Sequence, residues 1–193
     1  MAQTASICNQ DVTFARLREM REFGGDAMTR GLSDEVVRGF LDEHADLAVA
    51  IERAHADFTQ LMATHADFLA LDETAQVAKA HEGLTNFYTE DAVNPYIALA
   101  AAGPWIITAK GAVVYDCGGY GMLGLGHAPE AVLEAMSQPH VMANIMTGSV
   151  SQVDFIESLE KEIGHTRGGS PFASFLCLNS GSEAMSVASR IAD

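Results

Sequence analysis

The sequence predicts an α/β protein with a mainly helical amino-terminal part, a small β-hairpin unit and the start of a larger α/β domain. Apolar residues recur at helical spacing from Ser33 onward. Two short β-favouring runs at 105–108 and 112–116 flank a glycine-containing turn. An apolar run at 172–178 then precedes a turn and a segment of helical composition. Helical and β patterns along one chain are typical of this class.

The composition indicates a folded chain of one or two domains. Hydrophobic residues make up 48% of the 193 residues, which is above the level typical of disordered chains. The formal net charge is −15, and lysine and arginine do not cluster anywhere. We therefore expect neither nucleic acid nor a membrane as a partner, because a basic surface is missing.

The cysteines indicate a reducing compartment. Cys8, Cys117 and Cys177 are odd in number and lack CxxC spacing, so neither a disulfide framework nor a metal site is predicted. The amino terminus lacks the pattern of a signal peptide, and no apolar run approaches the ~18 residues that a membrane span needs. A cytoplasmic location is the expectation.

A single long helix is predicted to begin after Ser33, which is a good N-cap. Its apolar stripe requires a partner, which is the rest of this chain, a second helix or another subunit. Packing within the chain is favoured, with His44 and His65 as half-buried packing residues. The stripe consists of Phe40, His44, Leu47, Ile51, Ala54, Phe58, Leu61, His65 and Phe68.

Turn formers between Gly83 and Pro95 mark the best domain boundary. The predicted domains are a helical extension at 1–90, a small-domain segment at 91–165 and the beginning of a larger domain at 166–193. Within the second, Gly111 occupies the tight turn of the hairpin. A glycine-dense loop at 118–127 follows, then two amphipathic helices, the first starting near Pro129.

The strongest candidate site is the turn at 179–182, predicted between a strand and a helix. The backbone N–H groups at a helix start attract anions, and glycine leaves room for a phosphate to approach. Ser180, Gly181 and Ser182 therefore form a candidate phosphate site, with Glu183 pointing outward or against a neighbouring subunit. The alternative is an ordinary serine-capped helix after a buried strand.

Two motifs then resemble one known family. Asn-Ser-Gly-Ser-Glu-Ala at 179–184 is similar to the phosphate-binding turn of class III pyridoxal-phosphate-dependent aminotransferases. Val-Tyr-Asp at 114–116, followed by Gly-Leu-Gly-His-Ala-Pro-Glu at 124–130, resembles the hairpin and helix start of that family. The stretch 117–120 departs from the family pattern, which has an acidic residue and an apolar patch there. The resemblance covers about residues 94–193, and residues 1–90 have no counterpart.

The resemblance implies the PLP-dependent transferase fold type I, with a three-layer αβα large domain, and pyridoxal 5'-phosphate as cofactor. It implies that Ser180, Gly181 and Ser182 hold the cofactor phosphate, and that Tyr120 and Met122 line the substrate pocket. It also implies a homodimer. The loop at its interface would contain Thr147, Gly148, Ser149 and Ser151.

The catalytic lysine of the family has no counterpart here. Lys79, Lys110 and Lys161 all precede the phosphate turn, and each is interpreted as a solvated surface residue. The lysine is expected beyond Asp193, so the chain is expected to be an inactive fragment of a longer enzyme.

The resulting hypothesis is a transaminase that moves an amino group between an amino acid or amine and a 2-oxo acid. A mutase, racemase or decarboxylase on the same fold is an alternative, because fold and phosphate binding do not fix the reaction. A second alternative is a non-catalytic interaction protein whose stripe at 40–68 docks a partner.

Overall fold

A computed structural model describes residues 2–85, 88–118, 124–141 and 146–192. The chain forms two compact units, Met1–Gln138 and Pro139–Asp193. Within the described ranges, no helix combines the length and the apolar character that crossing a membrane requires. The first unit contains helices and a small sheet, whereas the second is described as helices and irregular segments.

Five helices lead into the sheet of the first unit. The second helix begins after Ser33, as predicted. The Ser33 hydroxyl caps it by accepting a hydrogen bond from the backbone N–H of Val36 at 3.4 Å. A short 3₁₀ turn, Glu90–Ala92, follows the fifth helix. The helices are α1 Ala2–Glu22, α2 Asp34–Glu43, α3 Ala45–Thr64, α4 Ala66–Leu69 and α5 Glu73–His81.

The prediction of one continuous helix after Ser33 is wrong. The chain leaves helical geometry at His44, with φ −126° and ψ 97°, and again at His65, with φ −139° and ψ 34°. Both histidines are exposed rather than half-buried, since each lies at a junction between helices. The spacing of apolar residues did not reveal these breaks, because a one-residue interruption leaves the apolar positions on both sides unchanged.

The sheet has three antiparallel strands in the order β1-β2-β3, namely Ala98–Ala102, Trp105–Thr108 and Val113–Tyr115. The predicted hairpin is confirmed, with Ile107 opposite Val113. Gly111 has φ +69°, and a Cβ there would lie 2.9 Å from the Leu17 carbonyl oxygen, so the turn requires glycine. The first strand was not predicted, because its alanine-rich sequence has little β propensity.

The central helix α3 packs against both α1 and the sheet. Its inward residues Leu47, Ile51, Ala54 and Phe58 are all buried, and they share one core with Trp105 of β2. The apolar stripe therefore packs within this chain, as favoured from the sequence. The amino-terminal helices and the hairpin thus form one folded body around a common core.

The tip of the hairpin is buried, and this overturns the interpretation of Lys110 as a solvated residue. Lys110 is only 3% exposed. Its Nζ donates to the carbonyl oxygen of Gly24, just past α1, and to that of Leu69 at the end of α4, the latter at 3.0 Å. Carbonyls at helix ends carry partial negative charge, so they compensate a buried ammonium. Lys79 and Lys161 are exposed, as predicted.

Because Lys110 is buried, its contribution to the unfolding free energy should change with pH in the alkaline range. Burial lowers its pKa below the ordinary 10.5, although the charges of Asp72, Glu73 and Asp26 oppose this shift. The unfavourable burial of the charged amine is fully present below the folded pKa. It is relieved as pH rises toward 10.5, because the unfolded chain then binds more protons.

We therefore expect the unfolding free energy of the wild type to rise, relative to that of Lys110→Met, between neutral and alkaline pH. Denaturant unfolding of both proteins along a pH series measures this difference. A difference that stays constant with pH would contradict the prediction.

The helices predicted after the glycine-dense loop are present. In the first unit, α6 spans Glu130–Ser137 and Pro129 is its N-cap. In the second unit, α7 spans Val150–Gly164, and α8 spans Gly181–Ala192. The backbone N–H of Ser149 donates to the Gln152 side chain at 2.9 Å, which fixes the start of α7.

The predicted strand at 172–178 is absent. These residues are irregular, and Phe172, Leu176 and Leu178 are exposed by 40% or more. A strand needs a neighbouring strand to pair its backbone groups, and none of the described strands lies in the second unit. The described residues therefore show a mixed fold of helices with a small antiparallel sheet. The three-layer domain stays a prediction.

Candidate functional site

The turn at 179–182 leads directly into α8, as predicted. Ser180 precedes the helix, and its hydroxyl accepts a hydrogen bond from the backbone N–H of Glu183 at 3.2 Å. The Ser180 carbonyl accepts from the N–H of Ala184 at 3.1 Å. Ser180 therefore acts as the N-cap of α8, and its hydroxyl is already used in that role.

Glu183 is exposed, as an outward orientation predicts. Its carboxylate folds back and accepts a hydrogen bond from the backbone N–H of Asn179 at 3.1 Å. Together with the Ser180 bond, this arrangement resembles a capping box. It differs in that the glutamate accepts from the residue before the N-cap, Asn179, and not from the N-cap Ser180 itself. A carboxylate in this position is also favoured by the positive end of α8.

The amides of Gly181 and Ser182 lie in the first turn of α8. A helix start leaves such N–H groups without a partner inside the helix. A Cβ built on Gly181 would meet no atom within 4 Å, so the space in front of this residue is open. The donor set of two amides and the nearby Ser182 hydroxyl is chemically suited to a phosphate. The Glu183 charge opposes such an anion.

The cap makes a prediction for α8. Ser180→Ala should lower the stability of this helix by about 1 kcal/mol, because the Glu183 amide loses its acceptor. Amide hydrogen exchange at Glu183 measures the effect directly. Ser182→Ala is the matched control, since it leaves the Ser180 hydroxyl in place. Equal exchange rates in the two variants would show that the Ser180 bond does not hold the turn.

The other residues predicted for the site are only partly described. Tyr120 and Met122 lie outside the described residues. The segment from Thr147 to Ser151 leads into α7, and the Ser149 and Ser151 hydroxyls lie 2.9 Å apart. Ser149 thus has a local structural role at this helix start. The assignment of Thr147, Gly148, Ser149 and Ser151 to a dimer interface stays a prediction.

The structure adds a carboxylate–imidazole pair that sequence reasoning missed. The side chains of Asp116 and His127 approach within 3.1 Å, between Oδ2 and Nε2. The other carboxylate oxygen accepts from the backbone N–H of Gly118 at 3.0 Å. Asp116 lies just before the glycine-dense segment and His127 is its last residue, positions that could have signalled the pairing. One carboxylate therefore joins both ends of that segment.

A cleft of about 510 Å³ lies beside this pair. Its wall is held by two backbone hydrogen bonds between Gly103 and His127, at 2.7 and 3.1 Å. Burial and the charge of Asp116 both raise the pKa of Tyr96. The described lining residues are Asp46, Gly103, Pro104, Asp116, Cys117, Gly118, Gly124, Leu125, Gly126 and His127.

The three lysines lie in three different environments. Lys79 is paired with Glu82, Lys110 is buried against carbonyl oxygens, and Lys161 lies exposed in the last turn of α7. Nor do three or more metal-binding side chains cluster anywhere in the part of the chain that is described.

Comparison with protein-family models, with curated proteins and with solved structures finds no match to this chain. The assignment of function therefore depends on the residues themselves and on the motifs they form. Among these, the turn at 179–183 has the most specific combination of sequence and geometry.

Proposed function

We propose that this chain is the amino-terminal part of a pyridoxal-phosphate-dependent aminotransferase. The observation that supports it most is the start of α8, where a serine-capped turn places a glycine with open space around its Cβ position in the first turn. The sequence of this turn is also the clearest resemblance to the class III enzymes. The cleft beside Asp116 lies in the segment that contains the second family motif.

In this proposal the cofactor phosphate is held by the N–H groups of Gly181 and Ser182 and by the Ser182 hydroxyl. Ser180 acts through its cap, because it fixes the geometry of the turn rather than donating to the phosphate. Glu183 keeps its hydrogen bond from the Asn179 amide in this proposal. When bound, pyridoxal phosphate supplies an electron sink for the carbanion formed at the amino-bearing carbon.

The proposed substrates are an amino acid or amine as donor and a 2-oxo acid as acceptor. Tyr120 and Met122 would line the pocket that receives them. Thr147, Gly148, Ser149 and Ser151 would face the second subunit of a homodimer. The lysine that anchors the cofactor would lie outside residues 1–193. Lys79 is paired with Glu82, and Lys110 donates to the Leu69 carbonyl.

The interaction-protein alternative is less well supported. Its docking surface was the apolar stripe at 40–68, but the central residues of that stripe are buried in the chain's own core.

A mutase, racemase or decarboxylase on the same scaffold needs no 2-oxo acid acceptor, so the requirement for an acceptor distinguishes these enzymes from an aminotransferase.

The test uses the full-length parent protein incubated with pyridoxal phosphate. We expect borohydride to trap a lysine adduct, and we expect turnover of amino donors only when a 2-oxo acid is present. Adduct formation with turnover that needs no acceptor would favour the mutase, racemase or decarboxylase class. Absence of any lysine adduct would overturn the proposal.

A further inference from the structure

Four segments of the first unit meet at a buried polar centre. They are the connection after α1, the end of α4, the start of α5 and the tip of the hairpin. Glu73 and Gln76 lie one turn apart on α5, and both are 0% exposed. Lys110 enters from the hairpin, and Thr29 from the connection after α1. Such burial of polar groups is unfavourable unless their hydrogen bonds are made.

The hydrogen bonds join these four side chains in two neighbouring pairs, and Glu73 and Gln76 on α5 link the pairs. Glu73 Oε2 accepts from the backbone N–H of Thr29 at 2.6 Å, so Thr29 lies against this carboxylate. Gln76 Nε2 and Lys110 Nζ both donate to the carbonyl oxygen of Leu69, at 3.1 and 3.0 Å. The amide of Gln76 and the ammonium of Lys110 are therefore neighbours.

Each side chain retains unused hydrogen-bonding capacity. Glu73 Oε1, Gln76 Oε1 and Thr29 Oγ1 are buried and have no partner among the residues that the structure describes. The Lys110 ammonium has three hydrogens and uses two of them, on Gly24 and Leu69. The centre thus contains two acceptors in need of a donor, and two donors in need of an acceptor.

We infer that Lys110, Thr29, Glu73 and Gln76 bind one internal water molecule. A water accepts two hydrogen bonds and donates two. It would accept from Lys110 Nζ and Thr29 Oγ1, and donate to Glu73 Oε1 and Gln76 Oε1. All four unused groups would then be satisfied, and buried waters commonly make two to four such bonds. This inference is independent of the proposed function.

Other occupants fit less well. A metal cation or an organic ammonium would be repelled by the charge of Lys110 and would offer Lys110 and Thr29 no acceptor. A direct bond between Lys110 and Glu73 Oε1 would leave Gln76 Oε1 and Thr29 Oγ1 unsatisfied, which is unfavourable in a buried position. Only a small neutral molecule with both donor and acceptor capacity satisfies every group.

A crystal structure of the 193-residue protein at about 1.5 Å resolution tests the inference directly. We expect a single well-ordered water at hydrogen-bond distance, roughly 2.7–3.2 Å, from the four atoms. Direct contact between Lys110 Nζ and Glu73 Oε1, with no density between the four groups, would overturn it.

A double-mutant cycle of Thr29→Val and Gln76→Met provides a second test in solution. Side chains that share a water are coupled, so the unfolding equilibrium constant of the double variant should differ by more than about twofold from the value that additivity predicts. Thr59→Val with Gln76→Met is the control, because the Thr59 hydroxyl bonds to the His55 carbonyl on the surface. Additive effects in the first cycle would count against the water.

Discussion

Replacing Glu73 by alanine should lower the unfolding free energy by about 3–5 kcal/mol. The carboxylate is fully buried and accepts from the backbone N–H groups of Met28 and Thr29, at 2.8 and 2.6 Å. Its removal leaves both donors unsatisfied and also removes a negative charge near the buried ammonium of Lys110. Loss of one partner from a buried charged group is among the largest single-residue effects on stability.

Denaturant unfolding followed by the fluorescence of Trp105 measures this effect. Trp105 is the only tryptophan of the chain, and it is fully buried in the same core, so its emission reports on the first unit. Glu134→Ala is the matched control, because that glutamate is exposed in α6 and should change stability by less than about 0.5 kcal/mol. Equal stability of the two variants would contradict a structural role for Glu73.

Local sequence signals predicted the elements whose geometry is decided locally. The hairpin around Gly111 and the start of α2 at Ser33 were both identified, because a positive φ and a capping hydroxyl depend on one or two residues. The strand at Ala98–Ala102 was missed because pairing with β2, and not its own composition, makes it a strand. The predicted strand at 172–178 failed for the converse reason, since none of the described strands pairs with it.

Tertiary contacts also decide the environment of single charges. Lys110 sits in a turn, where a lysine is usually solvated, yet the turn inserts between the ends of two helices. Nothing in the neighbouring residues signals that placement. In the candidate site, the helix start at Ser180 was predicted because a serine hydroxyl caps helix starts, whereas the phosphate site at Ser180, Gly181 and Ser182 stays a prediction. The orientation of Glu183 and the pairing of Asp116 with His127 depend on side-chain conformations that residue spacing does not specify.

Replacing Gly181 by valine should weaken retention of pyridoxal phosphate by the full-length parent protein at least about tenfold. The reason is that a branched side chain would occupy the space through which a phosphate reaches the first-turn amides, and hydrogen bonds to a charged group contribute about 1.5–3 kcal/mol each. Helix α8 itself should tolerate the change. A Cβ at this position meets no atom within 4 Å, and valine forms helices better than glycine.

The measurement is equilibrium dialysis of the cofactor against wild type, Gly181→Val and Gly39→Val. Gly39 lies in α2, and a Cβ there also meets no atom within 4 Å, so the control introduces the same side chain into a helix away from the turn. We expect only Gly181→Val to lose the cofactor, with circular dichroism unchanged in both variants. Undiminished retention in Gly181→Val would mean that the amides of α8 do not bind the phosphate, because no other part of the proposal explains the glycine at this position.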